Sequence, residues 1–202
     1  MTPFKNHKGK IATLDRSNVD TDQIIPKQFL KSIARTGFGP SLFYDWRYLP
    51  DGKPNPAFEL NAPRFKGASV LVTRKNFGSG SSREHAVWAI QQYGFRAVIA
   101  AGFADIFRNN SGKNGLLTLT LKEEEIEEIF QMAGRFPGLE ATVDLDEQRV
   151  TLHLAEEISF HFEIDATVKE HLIHGLDAIG LTLKREKEIA AFEARHDPQL
   201  PR

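Results

Sequence analysis

The chain has 202 residues, with 26 basic against 27 acidic side chains and a formal net charge of -1 at pH 7. This balance gives no general attraction to nucleic acid or to an anionic membrane, so any anion site must be local. The chain contains no cysteine, which excludes disulfides, zinc thiolates, a cysteine nucleophile and self-ligation of an iron–sulfur cluster. No apolar run approaches the roughly 18 residues of a membrane span, and no signal-peptide core occurs, so we predict a cytoplasmic protein.

Histidine and acidic clusters do not suggest a metal centre. His171 and His174 lie three apart on a predicted helix, but no His-Glu-x-x-His or other ligand spacing occurs. The acidic run 123–125 is typical of a solvated helix face near a helix N-terminus. We therefore expect no metal bound by this chain.

The first third of the chain predicts a strand, a short helix and a long loop. A strand at 8–14 leads into the polar segment 15–22, which is rich in side chains that bond to nearby backbone. After Pro26 a short helical stretch runs to about residue 33. The segment from about 35 to 65 has many prolines and glycines, and such long loops usually serve a site. Its aromatic residues predict that it packs against the protein rather than acting as a flexible linker.

The middle of the chain alternates strands and helices. Continuous apolar strands joined by helices indicate parallel pairing with both faces of the sheet buried. The predicted elements are a strand at 68–74, a helix at 82–93, a strand at 96–101, a short helix at 104–109, a turn at 111–115, a strand at 116–121 and a helix at 122–133.

The last third changes to period-two alternation, which indicates antiparallel strands with one wet face. The strands are predicted at 141–145, 149–154 and 158–164, followed by a helix at 166–174, a turn at 175–180 and a charged helical tail from about 183 to 195. Together these elements predict an α/β fold with a mixed, partly parallel sheet, formed by one domain over residues 1–202.

The segment from Asn76 to Ala86 reads Asn-Phe-Gly-Ser-Gly-Ser-Ser-Arg-Glu-His-Ala and joins a predicted strand to a predicted helix. Gly78 and Gly80 permit positive φ and a close approach of the backbone to a ligand, and a helix N-terminus offers unpaired N–H groups to an anion. Two hydroxyls and a guanidinium then stand at the mouth of this cradle, on Ser81, Ser82 and Arg83. The pattern predicts a carboxylate or phosphate site.

A simpler interpretation of this segment is structural. Ser81 and Glu84 have the spacing of a capping box, in which both would satisfy helix N–H groups. The Walker phosphate loop, the dinucleotide fingerprint and the Gly-x-Ser-x-Gly elbow all require patterns that are absent. The capping and ligand-binding interpretations are compatible for Ser82 and compete for Ser81.

Two further polar segments have simple explanations of their own. Residues 18–26 can form an Asx turn that leads into a helix, and residues 102–110 follow a buried strand, where Asp105 or Asn109 can cap a helix.

These segments together resemble one family, the small subunits of 3-isopropylmalate dehydratase, which are homologous to the swivelling C-terminal domain of aconitase. The resemblance runs from about residue 4 to 195. It rests on NVDTDQIIPKQFL (18–30), RTGFG (35–39), NFGSGSSREHA (76–86), GFADIFRNN (102–110) and GLDAIGLTL (175–183).

The resemblance implies a swivelling β/β/α domain that closes over a partner. It implies a large subunit that carries a four-iron four-sulfur cluster on its own cysteines, while no cofactor is bound by this chain. The implied reaction interconverts 2- and 3-isopropylmalate through 2-isopropylmaleate in leucine biosynthesis, and the substrate is a small 2-hydroxy dicarboxylate.

The resemblance also implies roles for particular residues. Ser81 matches the serine base, Ser82 an oxyanion-binding neighbour, Arg83 an arginine that grips a substrate carboxylate and Asp22 an active-site aspartate. Arg35 lies where relatives select the γ-substituent of the substrate. Gly80 and Ser79 complete the substrate cradle. Many bacterial relatives have cysteine at the position of Ser79, which is not a cluster ligand, so the substitution leaves the function intact.

Two alternatives remain open. The same architecture can serve a related dehydratase that acts on citramalate, homocitrate or a methylated malate. A non-catalytic RNA-binding module is also known among aconitase relatives, but the near-neutral charge of this chain disfavours it.

Overall fold

One mixed sheet organises the structure. In the computed structural model, which describes residues 1–31, 35–183 and 185–195, seven strands pair in the order β4-β3-β2-β1-β5-β6-β7. The strands are β1 (Asn6–Leu14), β2 (Val70–Thr73), β3 (Ala97–Ala100), β4 (Leu117–Thr120), β5 (Glu140–Asp144), β6 (Arg149–Leu152) and β7 (Ile158–His161).

Strand β1 is the junction between a parallel and an antiparallel half. It pairs in parallel with β2, and β2, β3 and β4 continue the parallel half. On its other side β1 pairs antiparallel with β5, and β5, β6 and β7 form a meander. The predicted mixed, partly parallel sheet is confirmed.

Helices cover both faces of the parallel half. Residues in β2 alternate between two cores: Leu71 packs into one, and Val70 and Val72 pack into the other. Because both faces are buried, the strand reads as a continuous apolar run. The helices are α1 (Thr21–Ile24), α2 (Tyr44–Arg47), α3 (Glu84–Tyr93), α4 (Asp105–Asn114), α5 (Glu123–Arg135), α6 (Ala166–His174), α7 (Ala178–Leu183) and α8 (Glu186–Glu193).

The two cores are built from different elements. The first contains the apolar side of α3, together with the aromatic residues of the 35–65 segment and Phe107 of α4. The second contains the inner face of α5, where Ile126, Ile129 and Ala133 follow helical spacing, and the buried face of the antiparallel meander. Within the described ranges no helix is both long and apolar enough to cross a membrane.

The 35–65 segment packs against the body of the protein, as its aromatic residues predict. Phe43 is fully buried and stacks on Trp46, with ring centroids 5.7 Å apart. The guanidinium of Arg16, which follows β1, lies 4.3 Å from the Trp46 ring centroid and is paired with Glu59. These contacts fasten the segment to the chain just after β1.

Several predicted element boundaries were wrong. The predicted turn at 111–115 lies in α4, which continues to Asn114 and is capped by Gly115 in the left-handed conformation. Burial of Phe107 and Ser111 stabilises this helix more than the glycine at 112 destabilises it. The helical stretch predicted after Pro26 is a 3-10 helix at Lys27–Lys31, and its predicted end at residues 32–34 lies outside the described residues. The short helix α1 begins at Thr21, within the segment predicted to be a turn or cap.

The C-terminal tail also differs from the prediction. Helix α7 (Ala178–Leu183) overlaps the end of the turn predicted at 175–180, and the charged helix predicted from about 183 to 195 is limited to Glu186–Glu193. The Asp177 carboxylate accepts a hydrogen bond from the N–H of Gly180 at 2.7 Å, which supports a first helical turn there.

Candidate active site

The ends of three parallel strands converge at one edge of the sheet. Strands β1, β2 and β3 are adjacent and parallel, so their carboxyl ends lie side by side. Open α/β sheets bind ligands at this edge. The three polar segments singled out from the sequence, 18–26, 76–86 and 102–110, are the chain portions that leave these strand ends.

Backbone hydrogen bonds extend the strand pairing beyond the sheet. The Gly78 N–H donates to the Val19 carbonyl at 2.7 Å, and the Thr21 N–H donates to the Ser79 carbonyl at 2.9 Å. On the other side the Phe77 N–H donates to the Gly102 carbonyl at 3.1 Å. The segment around residue 78 therefore lies between its two neighbours in a fixed register.

Two glycines in this segment meet different requirements. Gly78 has φ +78°, and a Cβ at this position would overlap the ring of Phe107, so only glycine fits. Gly80 has φ +86°, but a Cβ there would make only an ordinary contact with the Asp20 side chain, 3.5 Å away. The backbone conformation alone favours glycine at position 80.

Ser81 is exposed and has a hydroxyl available for a ligand. Its carbonyl accepts a hydrogen bond from the Thr21 hydroxyl at 2.9 Å, which fixes the backbone. Among the described residues no partner hydrogen-bonds to the Ser81 hydroxyl. The residue is thus held by its main chain and presents a free side chain to solvent.

Arg83 and Asp22 form the principal charged contact of the site. The guanidinium Nη1 of Arg83 donates to the Asp22 carboxylate. The Arg83 side chain is 13% exposed and that of Asp22 is 40% exposed, so the arginine is the better fixed partner. The hydrogen bond from Arg83 and its positive charge hold the pKa of Asp22 below its ordinary value, against the opposing effect of burial.

Ser82 has a neighbour that the sequence did not predict. The Asn110 side-chain amide approaches the Ser82 hydroxyl at 3.4 Å. The Asn110 carbonyl accepts from the side chain of Asn114, which also donates to Glu84. Through these contacts α4 positions the first turn of α3 and the residues just before it.

The capping-box interpretation of Ser81 was wrong. Arg83 is the N-cap residue of α3, has extended backbone angles and makes no side-chain capping bond. Ser81 therefore lies two residues before the N-cap, too early to cap the helix. The prediction that Asp105 or Asn109 caps α4 was also wrong, because its N-cap is Ala104, which has no capping side chain. The Asx turn was correctly predicted, since Asp20 caps α1.

Arg35 contacts two residues of α3. Its guanidinium carbon is 5.8 Å from the centroid of the Trp88 ring on α3, and its carbonyl accepts from the side chain of Gln92 at 2.8 Å. Among the described residues no hydrogen bond or ion pair joins Arg35 to Ser81 or Arg83. The neighbouring positions 32–34 lie outside those residues.

A metal site on this chain finds no support in its donor groups. Within the described part of the chain, no group of three or more histidine, aspartate or glutamate side chains is placed to hold a metal ion. With no cysteine in the sequence, the residues at the site do not fit ligation of an iron–sulfur cluster.

Comparison with known families explains the arrangement of these segments. A model described as the aconitase C-terminal domain matches residues 1–124, and one described as LeuD_N matches residues 127–166. A third, described as the C-terminal domain of the 3-isopropylmalate dehydratase small subunit, matches residues 179–202. The chain is 58% identical to the 3-isopropylmalate dehydratase small subunit of Desulforapulum autotrophicum, with 96% of each chain covered. This chain belongs to the family of 3-isopropylmalate dehydratase small subunits.

Other small subunits agree with this assignment. The protein of that name from Rhodopirellula baltica is 59% identical over 96% of this chain and 98% of its own. A crystal structure of 3-isopropylmalate dehydratase from Methanocaldococcus jannaschii superposes with a TM-score of 0.66 at 26% identity, covering 93% of this chain and 99% of that one. The predicted family and the aconitase-type fold are confirmed.

Sequence reasoning missed Thr21 and Asn110 as supporting residues. Both lie within segments that the sequence singled out, but their roles depend on contacts between residues 60 and 28 positions apart. No local pattern marks such contacts. The sequence did indicate that the segments containing these residues follow strands, and these strands are adjacent and parallel in the sheet.

The substitution Asp22→Asn tests the charged pair. Because the folded state lowers the pKa of Asp22, the pair stabilises the native state above the ordinary pKa of 3.8, and this contribution is lost as pH falls through the lowered value. We expect the free energy of unfolding in urea to be up to about 1 kcal/mol higher for wild type than for Asp22→Asn. Solvent screening at the 40%-exposed Asp22 side chain sets this upper limit. The difference should be constant from about pH 5 to 8 and shrink in stronger acid.

Asp146→Asn is the matched control, because the exposed Asp146 carboxylate has no partner among the described residues. A stability difference for Asp22→Asn that varies across the neutral range, or that equals the control, would contradict the pairing.

Proposed function

We propose that this chain is the small subunit of a 3-isopropylmalate dehydratase, and that with a large subunit it interconverts 2- and 3-isopropylmalate through 2-isopropylmaleate in leucine biosynthesis. The observation that carries the proposal is 58–59% identity to proteins of that name over nearly the full length. The exposed Ser81 and the Arg83 guanidinium, which is paired with Asp22 in the same segment, support it from the geometry. We place the enzyme in the cytoplasm.

The reaction removes a proton from a carbon beside a carboxylate while hydroxide leaves, and then adds water in the other orientation. It needs a positioned base, a clamp for at least one carboxylate and a Lewis acid for the hydroxide. A four-iron four-sulfur cluster on the large subunit would supply the Lewis acid. This chain supplies the base and the clamp.

We assign Ser81 as the base that takes the carbon-bound proton. A helix terminus contributes up to about 2 kcal/mol, and one pKa unit corresponds to about 1.4 kcal/mol, so the start of α3 alone moves a hydroxyl pKa by little more than one unit. The positive charge of Arg83 and exclusion of water must add to this effect. Because Ser81 is exposed on this chain, the large subunit must cover it.

Arg83 is assigned to bind a substrate carboxylate. Its contact with Asp22 uses Nη1, and a guanidinium carries five N–H donors, so donors remain for a second carboxylate. Asp22 fixes the plane of the guanidinium. Ser82, whose hydroxyl is within reach of the Asn110 amide, is assigned to stabilise the oxyanion that forms when the proton is removed.

Ser79, Gly80 and Arg35 are assigned more limited roles in substrate binding. The N–H and carbonyl of Ser79 are both used by the backbone pairing with Val19 and Thr21, so only its hydroxyl can reach a substrate. Gly80 contributes its left-handed backbone. Arg35 is assigned to select the γ-substituent of the substrate, from its position over Trp88.

Reconstitution tests the proposed function. The purified chain alone should be colourless and inactive, and addition of its cognate large subunit should give turnover of 2-isopropylmalate. The same mixture should turn over citramalate, homocitrate and methylated malates much more slowly, as measured by absorbance of the unsaturated intermediate. Activity of the isolated chain would contradict the proposal, and preference for one of the other acids would assign the related dehydratase instead.

The substitution Arg83→Lys tests the clamp. Lysine keeps the charge but loses the planar fork that binds a carboxylate through two donors. Because that contact is made with bound substrate as well as with the transition state, we expect KM of the reconstituted enzyme to rise by about tenfold or more, with a smaller change in kcat.

Arg149→Lys on the exposed side of β6 is the matched control and should leave both constants near wild type. An unchanged KM for Arg83→Lys would remove Arg83 from substrate binding.

A further inference from the structure

A large cavity lies on the side of α4 that faces away from Ser82. It has a volume of about 710 Å³ and is bounded by α4 on one wall and by α6 with the turn after it on the other. Arg108, Gly112 and Lys113 of α4 line it, whereas Asn110 and Asn114 project to α3 and the Ser81 region. We call it the α4–α6 cavity. It is distinct from the candidate active site.

The two walls of the cavity carry opposite charges that do not meet. Arg108 and Lys113 lie on the α4 wall, and Asp165 and Asp177 lie on the facing wall. Among the described residues none of these four side chains forms an ion pair. Opposite charges that face each other across an open space leave room for a ligand that carries both.

The carboxylates are held in place by the backbone. One oxygen of Asp165 accepts hydrogen bonds from the N–H groups of Thr167 and Val168, at 2.9 and 3.0 Å. One oxygen of Asp177 accepts from the N–H of Gly180 at 2.7 Å. In each carboxylate the second oxygen has no hydrogen-bond donor among the described residues. Each is thus a fixed acceptor with one oxygen available for a cation.

The rest of the lining is mainly apolar. Ile164, Val168 and Leu176 are half-buried around the cavity, and Thr118 of β4 is 6% exposed at its base. Ligand pockets of about 300 to 1,000 Å³ commonly combine apolar walls with a few convergent polar groups. The apolar residues belong to the wall that carries the carboxylates.

We propose that the α4–α6 cavity binds a small zwitterionic α-amino acid with an aliphatic side chain. The carboxylate of the ligand contacts Arg108 and Lys113, its ammonium contacts Asp165 and Asp177, and its aliphatic group packs on Ile164, Val168 and Leu176. A zwitterion can contact the charged groups of both walls, whereas a simple anion or a simple cation can contact those of only one wall. The proposal does not depend on the reaction assigned to Ser81.

Calorimetric titration of the full chain with matched ligands tests the chemistry. L-leucine should bind saturably with one site per chain. Two ligands that share its aliphatic group but carry a single charge, 4-methylpentanoate and 3-methylbutylamine, should each bind at least about tenfold more weakly, because each lacks one charge-assisted contact. Equal binding of either ligand, or no saturable binding of L-leucine, would overturn the proposal.

Substitutions on the two walls locate the site. Arg108→Gln and Asp177→Asn, on different walls and at exposed positions, should each weaken L-leucine binding by about tenfold or more. Arg83→Gln is the control for binding at the candidate active site and should leave the affinity unchanged. Binding that is lost in Arg83→Gln and retained in both wall variants would overturn the assignment. Circular dichroism of each variant checks that the fold is retained.

Discussion

The parallel pairing of β1 with β2 is the constraint on which the candidate site depends. Leu14 lies opposite Thr73 at the ends of the two strands, so the chain leaves both strands at the same level. The departing segments then stay paired as far as Asp20 and Ser79. This brings together Asp22 and Arg83, which are 61 residues apart. Without that register the serines after Gly80 would have no fixed position relative to α1.

The charged pair beside the serines has two consequences for chemistry. Asp22 orients the Arg83 guanidinium and restricts the conformations of that side chain. The Asp22 carboxylate remains ionised at neutral pH because its pKa lies below the ordinary value. It also offsets part of the positive charge that would favour an ionised Ser81. The proposed role of Ser81 as a base therefore requires positive charge and dry surroundings that this chain alone does not supply. This is the physical reason to regard the cluster as half of a site, completed by a large subunit.

Much of the fold could be predicted from the sequence because its strands obey simple rules. The continuous apolar run at Val70–Thr73 and the alternation at Arg149–Leu152 correctly separated the parallel from the antiparallel half. The errors fall where local and long-range preferences conflict. Ser111 and Gly112 favour a turn, but packing keeps them helical. Ser81 has capping-box spacing, but its carbonyl is held by Thr21 and the helix begins three residues later.

The sequence singled out the residues of the candidate site but not the contacts between them. Glycines and hydroxyl side chains that follow a strand are residue types typical of an anion site, so residues 78–83 could be singled out. The contacts of Ser82 with Asn110 and of Arg35 with Trp88 join distant parts of the chain, and a single sequence gives no spacing rule for them. The family resemblance supplied the reaction, which neither the spacing nor the composition specified.

Exchange of the carbon-bound hydrogen with solvent tests the central claim, that Ser81 moves the proton. The reconstituted enzyme would be incubated with 2-isopropylmalate in D₂O, and deuterium at the reacting carbons followed by mass spectrometry, for wild type, Ser81→Ala and the control Ser159→Ala on β7. The account predicts that Ser81→Ala still binds substrate but loses exchange by about a hundredfold or more, whereas the control matches wild type. Exchange by Ser81→Ala at nearly the wild-type rate would contradict it.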